Sequence, residues 1–381
     1  MAKLAALNAV RLPAASSLRR LPNRKNAVSS RELALFDDRT LFYDVFIDAE
    51  ASRLRAIGPP ALNLRKALAR MTLRINGARV RYRLRELPEQ KLSLLEARIT
   101  PLAINDISFE LGDFVSRHRL PPLALPKGRK VLAAISKNNR LEWISAWVDF
   151  YRHNYGIDDV ILYDNGSDNI EALETALRGR ATVIRWNFPY GPPGRRHNKF
   201  AQPGALNHCL RKFAGQGRLF NFDIDELLIA DPDQLETELE GRDTLYFESY
   251  NVPFVRPERA PYTHFDFTRR YAERRRSARK FVCLSEGVDV ISQHNTWSPL
   301  LLPGKRPLRR NRPQRMTSEH AYFLHFLGIT TNWQPHLNKL EEVGLDGLVL
   351  DDSHLRRRPK STATGDAFTP NADPVPESAA D

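Results

Sequence analysis

From Lys130 onward the apolar positions switch between strand and helix periods. Val131 to Ser136, VLAAIS, is a short apolar run of the buried-strand type, closed by the polar turn Lys137-Asn138-Asn139. Leu141, Ile144, Val148 and Tyr151 then recur at helical spacing with Trp147 beside them, and Gly156 is placed to stop that helix. A second strand, Val160 to Tyr163, ends in Asp164-Asn165-Gly166, and Asp168 with Glu171 reads as a capping box for a helix ending near Gly179. The third strand is Thr182 to Trp186. Phe188 to Arg196, FPYGPPGRR, has no regular period, and Pro203 opens a helix carrying Asn207, His208 and Cys209. Arg218 to Ala230, RLFNFDIDELLIA, follows directly. Read with a period of two, Phe220, Phe222 and Ile224 face one side of a strand, while Asn221, Asp223 and Asp225 face the other.

Alternating strands and helices predict an α/β unit, with a mostly parallel sheet flanked by helices and open at one edge. Ligands in such sheets bind beyond the carboxyl ends of the strands. Collected there are Ser136, Lys137, Asp164, Asn165, Asp223 and Asp225. Two carboxylates on one side of a strand end imply a cation between them, and oxygen ligands suit Mn2+ or Mg2+. No strand-to-helix turn carries a glycine-rich dinucleotide fingerprint and no Walker loop is present, which argues against nicotinamide and phosphate-loop enzymes.

Residues 33–125 read as a smaller strand-rich unit. Asn76-Gly77 is a preferred two-residue hairpin turn, and it fixes the register. Ile75 then faces Ala78, Leu73 faces Val80 and Met71 faces Tyr82, with Arg74, Arg79, Arg81 and Arg83 on the other side. Arg74 opposite Arg79 is unfavourable, so that outer face calls for acidic neighbours, water or an anionic partner. The proline-rich connector Leu120 to Lys127 divides this unit from the α/β unit at 126–349. Residues 1–32 read as a flexible basic arm. The polar tail at 350–381 reads as disordered.

Composition narrows the setting. The 381 residues are 42% hydrophobic, as in globular chains, and carry a formal net charge of +13. Neither a membrane-spanning window nor a continuous apolar signal core is present, so a cytoplasmic protein is expected, peripheral at the inner face of the membrane if its basic surface meets anionic lipid. The acid-poor arm also admits an organelle transit peptide. Cys209 and Cys283 lack metal-ligand spacing and read as buried spectators in a reducing compartment. Basic residues cluster in the arm, in Arg269 to Lys280, in Lys305 to Arg315 and in Arg356 to Lys360, without the interleaved aromatics of single-stranded nucleic-acid sites. No nucleic-acid partner is expected. Arg269 to Lys280 reads either as an exposed basic loop or as a mobile one that closes on a diphosphate, an anionic glycan or a lipid head group.

Four segments in order carry a resemblance: AAISKNNRLEWISAWVDFYRHNYGIDDVILYDNGSDN, LNHCLRKF, FNFDIDELL and AYFLHFLGITTNW. Together they resemble glycosyltransferases of A-type, Rossmann-like fold, nearest to family 92 and family-2-like bacterial enzymes, over roughly residues 129–339. The resemblance implies that Asp164 accepts a hydrogen bond from the donor base, usually uracil. It implies that Asp223 and Asp225 hold the metal and ribose-diphosphate, that His325 closes on the metal, and that Asn207 precedes the metal strand. Ser136, Lys137 and Asn165 complete the nucleotide-sugar site, and Lys199 is read as neutralising the diphosphate or as a solvated loop lysine. For an acceptor base the candidates are Glu248 and Glu286, with Asp289 beside the latter; the family-2 Glu-Asp pair at the late position is missing. The implied function is metal-dependent, inverting transfer from a nucleotide-sugar, UDP-linked by this reading, to a saccharide, lipid-linked or protein acceptor. The alternative is a basic nucleic-acid or anionic-surface binding protein without catalysis.

Overall fold

The computed structural model describes residues 6–14, 16, 18–20, 29–125, 127–192, 199–300, 307–331 and 340–359. Among them, no helix is long and apolar enough to cross a membrane. Chain order begins with β1 (Val10–Arg11), β2 (Thr40–Phe42), β3 (Asp44–Asp48), β4 (Arg53–Gly58), β5 (Thr72–Ile75), β6 (Ala78–Val80), β7 (Arg83–Leu87), β8 (Leu92–Arg98), β9 (Asn105–Leu111), β10 (Phe114–Leu120) and β11 (Pro122–Leu123). β1 pairs with β2, and the others form two facing sheets, β10-β9-β5-β6 and β11-β3-β4-β8-β7, around one core that includes Phe42, Leu54, Leu73, Leu95 and Phe109. The hairpin register at Asn76-Gly77 is the expected one, with Ile75 opposite Ala78 and Arg74 opposite Arg79. Glu110 meets the charge of Arg74 at 3.0 Å. The Met71–Tyr82 pair does not form a rung; instead the Tyr82 hydroxyl reaches the carbonyls of Leu68 and Met71.

The second unit contains β12 (Lys130–Ser136), α1 (Leu141–Tyr155), β13 (Asp159–Asp164), α2 (Ile170–Ala176), β14 (Thr182–Arg185), α3 (Ala201–Lys212), β15 (Arg218–Asn221), β16 (Glu226–Ile229), α4 (Pro232–Leu239) and β17 (Thr244–Val252). After them come β18 (Arg269–Tyr271), β19 (Arg274–Leu284), β20 (Val290–Ile291), β21 (Thr296–Pro299), β22 (Leu308–Arg310), β23 (Thr317–Phe326) and β24 (Leu348–Leu350). Eight of these strands make one sheet in the order β14-β13-β12-β15-β19-β17-β23-β16. Parallel pairing holds for β14-β13-β12-β15 and again for β17-β23, but β15-β19, β19-β17 and β23-β16 are antiparallel. The sheet is therefore mixed rather than mostly parallel.

Each apolar run feeds two cores. Leu132, Ala134, Val160 and Leu162 point to the α1 side, while Val131, Ala133, Ile161 and Tyr163 point to the α3 side. Gly156, at φ 60°, stops α1 as its spacing predicts. The expected capping box does not form. Asn169, not Asp168, precedes α2, and Asp168 instead exchanges hydrogen bonds with Asn138 across the sheet edge.

Only Phe222 to Asp225 separate β15 from β16, although three strands lie between them in the sheet. A flat sheet would put them about 19 Å apart, beyond the roughly 17 Å that five extended peptide links can span. The sheet must curl. β17 lies between β19 and β23 along its length, and its register breaks with both neighbours beside Glu248: with β19 between Phe247 and Ser249, and with β23 between Tyr246 and Glu248.

Three boundaries differ from expectation. Val10–Arg11 pairs with β2, the Arg19 guanidinium is buried on the carbonyls of Pro60, Asp37 and Thr40, and so the described part of the arm is built into the fold. Arg269 to Lys280 is two strand segments joined by a turn at Ala272-Glu273, not a loop. Leu348–Leu350 pairs with β18, and Asp351 and His354 are bonded beyond it, so the tail is docked as far as it is described; residues 360–381 lie outside the described residues.

Candidate functional site

The strand β15 ends at Asn221, and the two aspartates sit in the turn that follows, closed by the Glu226 amide on the Asp223 carbonyl at 3.1 Å. The alternation nevertheless persists through the turn. Phe220, Phe222 and Ile224 are buried in the α1-side core. Below the turn, β16 is an edge strand, paired with β23 on one side only. Its other side is satisfied by α1: the Tyr151 hydroxyl bonds the Glu226 carbonyl and the Leu228 amide, and the Tyr155 hydroxyl bonds the Leu228 carbonyl and the Ala230 amide. Residues four apart on a helix rise about 6 Å, close to the roughly 6.7 Å between alternate residues of a strand. Two tyrosines one turn apart can therefore cap one strand edge, and they hold Glu226 in place.

Pairing of β16 with β23 puts Glu226 opposite His325. Asp225 Oδ2 lies 3.1 Å from His325 Nε2, and the ligand atoms of Asp225, Glu226 and His325 all fall within 4.8 Å of one another. This is the metal-sized group among the described residues. It replaces one expected member, because Asp223 turns away: its Oδ2 accepts from Lys280 Nζ at 2.5 Å and from Gln293 Nε2 at 3.2 Å. Lys280, buried on β19, also reaches Glu226 Oε2 at 3.1 Å. Burial alone would lower the Lys280 pKa, but Asp223 and Glu226 more than reverse this and keep the ammonium charged. Burial raises the Glu226 carboxyl, against the pull of Lys280, with Asp223 and Asp225 adding to the rise. The oxygens of Asp225 and Glu226 and the imidazole of His325 are donors of the kind a divalent cation accepts.

The remaining expected residues divide. Ser136, Asp164 and Asn165 stand at the carboxyl ends of β12 and β13, on the same sheet edge as the aspartate turn. One Asp164 oxygen accepts from the amides of Gly166 and Ser167 at 3.0 Å each, while the buried Oδ1 has no partner among the described residues. Such an atom calls for a donor. The Ser136 hydroxyl is bonded by Asn139, and the Asn165 amide is spent on the carbonyls of Trp186 and Phe188, where it pins the β14 exit. Lys137 is exposed beside them. Lys199 lies 6.0 Å from the Tyr190 ring centroid.

Asn207 does not line the site. It is fully buried, donates to the carbonyls of Pro203 and Ile291 and accepts from the Ile291 amide, so it ties α3 to β20 with nothing left for a ligand. Glu286 is also misplaced. It is exposed beyond the Leu284 end of β19, which pairs with Arg218 at the start of β15, so it stands at the opposite edge of the sheet, on the order of 13 Å away. Asp289 is taken by Arg85 and Arg211, and that double pairing holds its carboxyl down at about 2 despite burial. Glu248 follows Phe247, the rung partner of Lys280, but Arg279, Arg274 and Arg276 surround its carboxylate at 2.6, 3.4 and 4.0 Å.

Sequence reasoning passed over Glu226, Lys280, Gln293 and His294. Glu226 directly follows the aspartate pair, and that adjacency was the available signal. Lys280 ends an arginine run and opens the buried stretch Phe281-Val282-Cys283, where a lysine needs a partner. Gln293 and His294 come from the turn between β20 and β21, which only tertiary packing lays over Asp223 and Arg279.

No protein-family model matches this chain, and no curated protein matches it in sequence. Among solved structures it is similar to the crystal structure of S. aureus TarS 1-349, at 13% identity and a TM-score of 0.24, over 41% of this chain and 47% of that one. Less than half of that chain is spanned, and a likeness of this degree carries no argument.

Proposed function

We propose that this chain is a metal-dependent glycosyltransferase of A-type fold that moves a sugar from a nucleotide-sugar, UDP-linked before other bases, to a saccharide, lipid-linked or protein acceptor with inversion. One observation carries the reading: on a single sheet edge, the Asp164 oxygen that has no partner among the described residues and the Asp225–Glu226–His325 group lie on either side of β12 and β15. Two strand steps separate β13 from β15, about 10 Å, a span suited to a nucleoside whose base meets the first and whose diphosphate meets the second. In this reading Asp164 accepts from the base, with Ser136, Lys137 and Asn165 shaping the strand ends around it. Lys199 and Lys280 offset diphosphate charge.

Two carboxylates and an imidazole fit Mn2+, and fit Mg2+ with added waters. Asp225, Glu226 and His325 would hold the ion, with Asp223 fixed by Lys280 at its border. When bound, the metal supplies Lewis acidity toward the leaving diphosphate. Neither glutamate expected as base is placed to act as one. In this reading the enzyme works in the cytoplasm, at the inner membrane face when its acceptor is lipid-linked.

The test is calorimetric titration of UDP, GDP, ADP and CMP, with and without Mn2+, into the wild type and Asp225→Ala. Metal-dependent binding of one diphosphate, lost in the variant, is expected. If no nucleotide binds under any metal, the reading fails.

A further inference from the structure

The β17–β19 ladder is broken beside the candidate site in an unusual way. Phe247 pairs with Lys280, and Ser249 pairs with Arg275. One residue of β17, Glu248, therefore faces four of β19, Arg276 to Arg279, so that β19 arches away from its partner by three extra residues. Bulges of this kind re-aim side chains and recur next to active sites. Here the re-aimed side chains are guanidinium groups. Arg274, Arg276 and Arg279 converge on the single Glu248 carboxylate. Among the described residues, three positive charges against one leave two unmatched, and the neighbouring Arg275 is exposed as well. Glu273, in the turn before β19, is the only acid within 269–280.

The arch also has a defined place. Arg279 adjoins Lys280, whose ammonium holds Asp223, and the Arg279 carbonyl is bonded by His294 at 3.0 Å. Glu248 precedes Asn251, the rung partner of His325, by three residues, about 10 Å along the strand. Across the sheet the order runs from Asp164 on β13, through β12, to the aspartate turn after β15, and then to the arch on β19. A donor lying from Asp164 to the acidic group leaves the arch on the far side, where an acceptor would approach.

We propose that this arch is an anion-binding ledge that takes a phosphate group carried by the acceptor. The proposal rests on the transferase reading above. Guanidinium forks match phosphate oxygens in pairs, and Glu248 gathers the forks while neutralising only one of them. Arg276, whose side chain is 81% exposed, presents its fork to solvent at the rim.

The experiment uses the full chain and the variant Arg275→Ser/Arg276→Ser, which alters exposed positions only. Binding of glucose 6-phosphate is compared with glucose, and binding of phosphatidylglycerol vesicles with phosphatidylcholine vesicles, at about 0.15 M salt. UDP binding with Mn2+ is measured on the same samples. Glucose 6-phosphate should bind better than glucose and lose about tenfold in the variant, with UDP binding unchanged. If phosphatidylglycerol vesicles alone bind and the variant loses them, the phosphate is lipid-borne and the ledge stands. Equal behaviour of wild type and variant toward both probes overturns the ledge. Loss of both probes in the variant, with no UDP binding by either protein, keeps an anion site but removes the acceptor role together with the transferase reading.

Discussion

Two buried lysines in this protein make opposite use of the same chemistry. Lys212 on α3 lies 2.8 Å from Asp44 of the N-terminal sandwich, and Asp44 also receives His208 at 2.9 Å, whose other nitrogen meets the Tyr163 hydroxyl at 2.8 Å. All four side chains are sealed from solvent, and one carboxylate balances one ammonium. Burial keeps His208 neutral against the pull of Asp44. Lys280 instead faces two carboxylates, Asp223 and Glu226, and the side chains of Asp223, Asp225 and His325 remain 24%, 19% and 22% exposed. Balanced and closed, the first group serves as cement between the units. Unbalanced and open, the second has capacity left for a ligand. Gly204 fits the same contrast, since a Cβ there would come within 2.5 Å of the Tyr43 ring that packs beside the sealed group.

The strongest way to break this comparison is Asp44→Ala. It strands a buried ammonium and should cost about 3–5 kcal/mol, read by urea denaturation. Replacing the pair together, Asp44→Leu with Lys212→Met, should recover much of that loss, because apolar packing commonly equals a buried ion pair. A loss for Asp44→Ala no larger than a surface substitution would remove the sealed group as an interdomain tie.

Acid sharpens the comparison next. Beneath the open group, His264 Nε2 donates to the Ile224 carbonyl at 2.6 Å, and His354 Nε2 donates to the His264 carbonyl at 3.1 Å. Burial pushes both imidazoles down to about 4. The unfolded chain takes up these protons near 6.5 and the folded chain only near 4, so stability is complete above 6.5, falls between the two and is fully lost below 4. For His354 the loss is on the order of 3 kcal/mol. Chemical denaturation from pH 7 to pH 4 should therefore show a shallower decline in His354→Gln than in the wild type. Identical slopes would show that His354 does not titrate with unfolding.

The smallest stability effect is expected at Asp225→Ala. The residue is partly exposed and crowded by like charges, so its removal should change stability by no more than about 1 kcal/mol. Thermal stabilisation by Mn2+, however, should vanish. If Asp225→Ala destabilises as much as Asp44→Ala, the open group is structural like the sealed one.

Much of the local architecture was legible because it depends on residues close in sequence. The strands at Val131, Val160 and Thr182, the helix stopped by Gly156 and the register at Asn76-Gly77 follow from period, burial and turn chemistry. So does the meeting of Asp164 and the aspartate turn on one edge, since parallel strands present their carboxyl ends together. The capping box failed because Asp168 found a better partner in Asn138, thirty residues away. Asn207 was misjudged because its amide is consumed by Ile291, which no spacing rule reveals.

Short-range periodicity and parallel crossovers settle the alternating strands and helices from Lys130 to Asn221 and the carboxylates that gather at one sheet edge, but not the strands at Val10, Arg269 and Leu348. Tertiary structure alone decided the membership of the site. The pairing of β16 with β23 brings His325 to Asp225, antiparallel β19 delivers Lys280 to Asp223, and the arch turns arginines onto Glu248. Those meetings join residues about 30 to 100 positions apart, and they are settled by compensation of buried charge, a property of neighbours in space rather than of neighbours in the chain.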